Sequence, residues 1–187
     1  IRTEVKDAFL EVMAEYRIRQ PSAPGPNLPQ QEMARELTEV RQELTSLSEK
    51  VEKEYAEGDR YYKEQDFDTA IRHFTNAIDL VPGIPSLYLA LGKSYSSSHQ
   101  YNDAVATYDR GLKVVKQTEK VYVNLIASRG SAKESLGYHQ EAIDDLSHAI
   151  KLSPDHADAY YNRGIAKSEL KDFAGAVADS TAAIKIK

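Results

Sequence analysis

The stretch EGDRYYKEQDFDTAIRHFTNAIDLVP, residues 57–82, decides the fold. It places small residues at Gly58, Ala70 and Ala77, and each of them has counterparts further along the chain. The three series are Gly58, Gly92, Gly130 and Gly164; Ala70, Ala104, Ala142 and Ala176; and Ala77, Gly111, Ala149 and Ala183. Because all three advance by 34, 38 and 34 residues, the chain contains one structural unit repeated four times.

Each unit has the pattern of two amphipathic helices joined by a short polar turn. In unit one the helices are YAEGDRYYKEQ and FDTAIRHFTNAIDL. Small residues at the glycine and alanine positions predict that the two helix backbones approach closely. Four extra residues, EKVY at 119–122, predict either a longer second helix in unit two or a longer lead into unit three.

The repeat resembles the tetratricopeptide repeat family, whose 34-residue unit has a W-x2-L-G-x2-Y … A-x3-F … A … P pattern. Unit two carries this pattern most completely, in Tyr88, Leu91, Gly92, Tyr95, Ala104 and Tyr108. The resemblance implies an all-α fold, a right-handed superhelix (α-solenoid) of four helix–turn–helix units. We expect the units at 51–84, 85–122, 123–156 and 157–187, preceded by an N-terminal helical segment.

The N-terminal segment has its own pattern. Residues 3–18 are predicted to form an amphipathic helix, which four prolines within residues 20–29 end. From residue 30 to 50 a second helix is predicted, which can run unbroken into unit one. Its apolar residues follow a 4-3-4-3-4 spacing typical of a coiled coil: Met33, Leu37, Val40, Leu44, Leu47 and Val51. This segment is either a hairpin within one chain or a surface for self-association, which would form a homodimer.

The ends of the array differ. Glu54 and Glu57 occupy the positions that usually pack on a preceding repeat, so we expect no repeat before unit one. Val177 and Ile184 lie on the last helix, where we expect an uncovered apolar face. From this face, and because the chain begins at Ile1 rather than Met, we expect a fragment of a longer protein.

Composition excludes several function classes. The chain has no cysteine, a net charge of −5 and no basic block, which disfavours disulfides, thiol catalysis and nucleic acid as a partner. No apolar run approaches the roughly 20 residues of a membrane span. The sequence contains no catalytic or phosphate-binding motif, and its acids Asp144 and Asp145 fit a solvated helix face. We therefore predict no enzymatic activity, cofactor or metal, and favour a cytoplasmic location.

The resemblance implies that the first helices line a concave groove for a partner protein or peptide. The candidate groove residues are Tyr55, Asp59, Tyr62, Lys93, Ser128, Ser131, Tyr161, Asn162 and Ile165. Acids outnumber lysines along these helices, which favours a neutral or mildly basic ligand with apolar anchors. One subfamily clamps acidic chaperone tails with lysine, asparagine and arginine. Its positions hold Tyr55, Asp59, Ala90, Asn124 and Ser128 here, which argues against an acidic-tail clamp.

The predicted function is thus a protein–protein interaction adaptor or scaffold. Two alternatives remain open on the sequence: a regulatory or targeting module of a larger multidomain enzyme, and structural self-assembly through residues 33–51.

Overall fold

The computed structural model describes the backbone of residues 30–186 and the side chains of residue 35 and residues 38–186. The predicted helix 3–18 and the proline-rich residues 20–29 lie outside this range. The described residues form eight helices: α1 (Gln30–Lys63), α2 (Phe67–Leu80), α3 (Pro85–Ser97), α4 (Tyr101–Val114), α5 (Lys120–Ser135), α6 (His139–Leu152), α7 (Ala157–Glu169) and α8 (Phe173–Ile186).

The helices form an α-solenoid of four antiparallel pairs, α1–α2, α3–α4, α5–α6 and α7–α8. Each second helix also packs on the first helix of the following unit. First helices contact one another along the array, whereas no two second helices of the described chain do. The first helices therefore form the inner, concave layer, and the second helices form the outer layer.

Helix α1 has 34 residues and no break between its N-terminal part and the first repeat. It is about 50 Å long at roughly 1.5 Å per residue. Val51 marks the point where the helix enters the repeat core, because its side chain is fully buried there. Assigning Val51 to a self-association surface was therefore wrong. Val40, Leu44 and Leu47 are partly exposed, and the side chains of Met33 and Leu37 lie outside the described residues.

The four extra residues lengthen the lead into unit three. The second helix of unit two has 14 residues, like the other second helices, so the alternative of a longer helix there is wrong. Helix α5 has 16 residues where α3 and α7 have 13. The preceding loop, residues 115–119, is one residue longer than the loops 81–84 and 153–156.

The repeat glycines accommodate side chains in units one to three, rather than a close approach of two backbones as predicted. A Cβ at Gly58 would lie 2.8 Å from the Phe74 ring, and one at Gly130 would lie 2.8 Å from Cγ of Leu146. Only in unit four is the nearest group backbone, because Ser180 stands where a large residue fills the other units. There a Cβ at Gly164 would lie 3.2 Å from the carbonyl oxygen of Ala176.

The turns between paired helices share one backbone conformation. Gln65, His99, Gly137 and Lys171 follow the same 34-, 38- and 34-residue steps, and their φ angles are 63°, 62°, 81° and 66°. This left-handed conformation strains any residue with a Cβ, so the glycine of unit three is the unstrained member of the set. The two helices of every unit are therefore joined by the same kind of turn.

Two largely buried arginines, Arg129 and Arg163, bind an aspartate of their own unit and reach back to the unit before it. Arg129 donates two hydrogen bonds to Asp145, and Lys133 lies 3.0 Å from the same carboxylate. Asp145 is 9% exposed, so its assignment to a solvated face was wrong; only Asp144 is exposed. The remaining guanidinium nitrogen of Arg129 reaches Asp109 of unit two at 2.6 Å, which ties the two units together.

Unit four repeats this arrangement. Arg163 donates two hydrogen bonds to Asp179 and a third to Ser147 of unit three, and Lys167 lies 2.8 Å from Asp179. Burial raises the pKa of Asp179, but the hydrogen bonds from Arg163 and Lys167 outweigh it and hold the pKa below its usual value. Asp179 therefore stabilises the fold at neutral pH, and this stabilisation is lost as the pH falls through its lowered pKa.

The two ends of the array are unlike. Glu54 does not face open solvent as a cap would, because it accepts hydrogen bonds from His73 at 2.9 Å and Asn76 at 3.1 Å on α2. Burial raises the pKa of Glu54, but these two bonds outweigh it and lower the pKa. At the other end Val177 and Ile184 are 66% and 76% exposed, which confirms the predicted apolar face.

Candidate functional site: the concave groove

Two depressions run along the inner layer of first helices. The first lies between units one and two and has a volume of about 270 Å³. The second spans units one to four and has a volume of about 370 Å³. Tyr62 and Lys93 line both depressions, so the two form one continuous groove.

The first depression has an apolar wall. Tyr55 and Phe74 pack with ring centroids 5.6 Å apart, and Leu89 and Ala90 close the opposite side. Asp59 also lines it, but its carboxylate lies 2.6 Å from the ammonium of Lys63. Lys93 is then the remaining charged residue of this lining, and the aromatic and aliphatic wall suits an apolar side chain.

The second depression is polar. Its lining residues are mostly hydroxyl and amide side chains: Ser96, Ser97, Ser128, Ser131, Tyr62, Tyr108, Asn124 and Asn162, with Ala127, His156, Asp158 and Lys93. The hydroxyls of Tyr62 and Ser97 lie 3.1 Å apart, and those of Tyr108 and Ser96 lie 3.4 Å apart. These groups can both donate and accept hydrogen bonds, which suits an extended peptide backbone.

Tyr108 stays protonated on the groove floor. Burial raises its pKa to about 12, against the opposing effect of hydrogen bonds with Ser96 and Ser128. The phenol therefore remains neutral throughout the physiological pH range and adds no negative charge to the groove.

Lys93 is the cation at the junction of the two depressions. Its side chain is exposed, and no ion pair joins it to another residue in the described part of the chain. Lys63, by contrast, is held by Asp59. Further along, burial raises the pKa of Glu134, His139 opposes this effect, and the nearby Glu169 adds to it. The groove thus has an unpaired lysine where its two depressions meet, and neither Glu134 nor Glu169 lines a depression.

The structure brings together seven of the nine predicted groove residues. Tyr55 and Asp59 line the first depression; Ser128, Ser131 and Asn162 line the second; Tyr62 and Lys93 line both. Tyr161 and Ile165 lie outside both depressions, and Tyr161 is 57% exposed.

Sequence reasoning missed Phe74, Tyr108, Ser96 and His156. Phe74 and Tyr108 belong to second helices, which the family resemblance does not assign to the groove. The spacing in the sequence was a usable signal, because each ring follows its repeat glycine by sixteen residues. In the structure each ring packs into the space beside that glycine. Their rings thereby reach the groove floor from the outer layer.

Among the described residues, no group of three or more His, Cys, Asp or Glu side chains is placed to hold a metal ion. No helix of this part of the chain is both long enough and apolar enough to cross a membrane.

Comparisons with known proteins agree with the repeat pattern. Family models described as tetratricopeptide repeat match residues 61–128 and 157–187, and one described as TPR repeat matches 130–171. The DnaJ homolog subfamily C member 7 homolog of Dictyostelium discoideum is 26% identical over 137 residues, which is 67% of this chain and 25% of that protein. The chain spans about a quarter or less of the length of the curated relatives it matches.

Solved structures show the same architecture. A crystal structure of MamA is 30% identical, covers 70% of this chain and 74% of its own, and has a TM-score of 0.61. The first TPR of Spaghetti (RPAP3), bound to the HSP90 peptide SRMEEVD, is 22% identical with a TM-score of 0.57 and covers 70% of this chain and 94% of its own. At that identity the likeness concerns the fold. The chain belongs to the tetratricopeptide repeat family.

Proposed function

We propose that the protein is an interaction adaptor whose concave groove binds an extended segment of a partner protein. The observation that carries this proposal is the continuity of the groove, since Tyr62 and Lys93 line both of its depressions. A peptide can run from the apolar pocket of unit one, past Lys93, to the hydroxyl and amide groups of units three and four. Recognition of extended segments through apolar anchors and backbone hydrogen bonds is a common mode of peptide binding.

The groove chemistry describes the ligand. The pocket between Tyr55, Phe74 and Leu89 accepts an apolar anchor, and the serine and asparagine side chains accept a polar backbone without requiring charge. In the first depression the carboxylate of Asp59 is paired with Lys63. The charged residues that line the second depression are Lys93 and Asp158. A neutral or mildly basic segment fits this distribution.

An acidic chaperone tail does not fit it. The peptide SRMEEVD, bound by the RPAP3 domain, carries two glutamates, one aspartate and a C-terminal carboxylate. Tight binding of carboxylates generally uses several charge-assisted donors, arginine above all. In this groove Lys93 is the one lysine that lines the two depressions, and no arginine lines either of them.

The charge argument is tested by titrating SRMEEVD into the full chain by calorimetry. We expect no saturation below about 100 μM, which corresponds to less than about 6 kcal/mol of binding free energy. The matched variant Asp59→Asn/Ser128→Arg replaces the first carboxylate and adds a donor beside Lys93. It should bind the peptide more tightly than the parent chain. Low-micromolar binding by the unmodified chain would contradict the proposed ligand chemistry.

A second candidate function is recruitment within a longer polypeptide. It is favoured by the curated relatives, of which the chain spans a quarter or less. In that arrangement the groove would bring a partner to a domain with its own activity. Sequencing the complete reading frame tests this, and a frame without any further domain would exclude it.

Self-association through α1 is a third candidate, with Met33, Leu37, Val40, Leu44 and Leu47 as its remaining residues. Val51 is buried inside the same chain and cannot contribute. The helix extends 21 residues before Val51, from Gln30 to Lys50, which leaves room for a second helix beside it. Sedimentation velocity of the full chain beside the variant Leu44→Glu/Leu47→Glu tests this candidate, and a parent chain that stays monomeric would exclude it.

A further inference from the structure

The concave groove and the first twenty residues of the same chain have matching chemistry. The groove offers an apolar pocket between Tyr55, Phe74 and Leu89, with hydroxyl and amide groups beyond it. Residues 1–20, which lie outside the described part of the chain, carry four basic and four acidic side chains and therefore no net charge. This segment has the neutral character that the groove suits.

The apolar residues of the segment share one side of its predicted helix. Val5, Phe9, Val12 and Tyr16 follow a 4-3-4 spacing, which brings them onto one stripe. An amphipathic helix that lays its apolar side into a groove is a common mode of recognition. Phe9, near the middle of the stripe, is an aromatic anchor for the apolar pocket of the first depression.

The linker is long enough to bring this segment to the groove. Before Val51 enters the core, α1 extends for 21 residues, which is about 31 Å at roughly 1.5 Å per residue. Residues 19–29 include four prolines and span about 34 Å at the roughly 3.1 Å per residue of a proline-rich chain. Turned back along α1, they bring residue 18 level with Val51, about one helical turn from Tyr55 in the groove.

A hairpin on the projecting part of α1 needs a much shorter linker. Neighbouring antiparallel helices are typically joined by about two to eight residues. Residues 19–29 exceed that length, and their prolines favour an extended course over a compact turn. The linker therefore favours the groove over Val40, Leu44 and Leu47 as the place where the segment docks.

We propose that residues 3–18 dock in the concave groove of their own chain and compete there with partners, as an autoinhibitory contact. This inference rests on the proposed function, because it concerns regulation of the same groove. A linker that matches its span gives an effective concentration of about 1 mM. With a dissociation constant of about 100 μM, the segment fills the groove in about nine of ten molecules and weakens partner binding about tenfold. A partner still displaces it, so the full chain remains able to capture one.

Cross-linking within the full chain tests this contact. The chain has no cysteine, so each introduced pair of cysteines is the only one. Ala8→Cys is combined in turn with Ser131→Cys in the groove, Glu43→Cys on the projecting part of α1 and Asp144→Cys on the outer layer. A short bismaleimide joins the thiols that come together, and only cross-links within a monomer are counted.

We expect the groove pair to cross-link in the highest yield and the outer-layer pair to stay at background. Phe9→Asp/Val12→Asp should abolish the groove cross-link, because it charges the apolar side of the segment. The matched control Leu10→Asp/Ala14→Asp adds the same charge to the opposite side of the predicted helix and should leave the cross-link in place.

A higher yield for the pair on α1 would assign the segment to a hairpin and overturn the inference, and so would a groove cross-link that survives Phe9→Asp/Val12→Asp. Thiol protection is a second readout. Ser131→Cys alone should react with a maleimide about tenfold faster when that variant is added, and equal rates would contradict the proposal. Neither readout needs a partner, so failure of this inference is distinguished from failure of the proposed function.

Discussion

We expect Gly92→Ala to lower the free energy of unfolding of the full chain by about 3 kcal/mol. A Cβ at residue 92 would lie 2.7 Å from both Cδ1 and Cζ of the Tyr108 ring, well inside van der Waals contact. Tyr108 is 1% exposed and its hydroxyl contacts Ser96, so the ring cannot move aside without disturbing the core and the groove floor. The roughly 1 kcal/mol that alanine gains in helix propensity is smaller than this overlap.

Urea denaturation followed by circular dichroism measures the change. Gly83→Ala is the control, because nothing lies within 4 Å of a Cβ at that exposed turn, and it should change stability by less than about 0.5 kcal/mol. In the double variant Gly92→Ala/Tyr108→Leu the ring is absent, so part of the loss should be recovered. If Gly92→Ala alone unfolds like the parent chain, the packing of Tyr108 over the glycine is wrong.

The second large effect is expected at Asp145. Its replacement by alanine removes the shared partner of Arg129 and Lys133 and leaves both cations largely buried. Breaking one side of a buried ion pair typically costs 3–5 kcal/mol. Arg129 keeps its bond to Asp109, and both cations retain some solvent contact, so we expect about 2–3 kcal/mol. Urea denaturation measures this loss. Guanidinium chloride is unsuitable because it is a salt and its ions would screen the charges of the ion pair.

Asp144→Ala is the matched control one residue away. Asp144 is exposed and accepts only a hydrogen bond from Gln140, so its loss should cost no more than about 0.5 kcal/mol. Equal effects of the two substitutions would mean that the Arg129–Asp145 pair does not hold unit three together.

The four-unit fold was predictable because glycine and alanine recur in register. A helix pair needs a small residue at each close contact, so the periodicity of Gly58, Gly92, Gly130 and Gly164 carries the architecture. The glycine series alone did not predict which group packs against each glycine, since either a backbone or a side chain can approach it. The residue sixteen positions after each glycine determines which group packs there. Phe74, Tyr108 and Leu146 are large enough to fill the space beside their glycines, and Ser180 is not.

The buried ion pairs were missed for a different reason. Asp145 stands beside Asp144 in the sequence, and two adjacent acids read as a solvated face. The two acids differ in the structure because Arg129 and Lys133 both bind Asp145 and neither binds Asp144. The same Arg–Lys–Asp spacing in Arg163, Lys167 and Asp179 was the available signal.

The sequence predicted which first-helix residues line the concave side, whereas their part in binding a partner stays a prediction. Tyr55, Tyr62, Lys93 and Asn162 line the groove because helix periodicity fixes which side of a first helix faces inward. Tyr161 and Ile165 lie outside both depressions. They belong to α7, which has no following first helix within the described residues to form the other wall.

Affinity capture from an extract of the cells that make the protein tests the central claim, that the concave groove binds a partner. The baits are the full chain, the groove variant Asp59→Lys/Lys93→Glu/Asn162→Ala and the outer-face control Lys113→Glu/Asp144→Lys. Tyr55 is left unchanged because it packs on Phe74. We predict that a protein retained by the parent and the outer-face control is lost from the groove variant. Retention by the groove variant at the parent level would contradict the account.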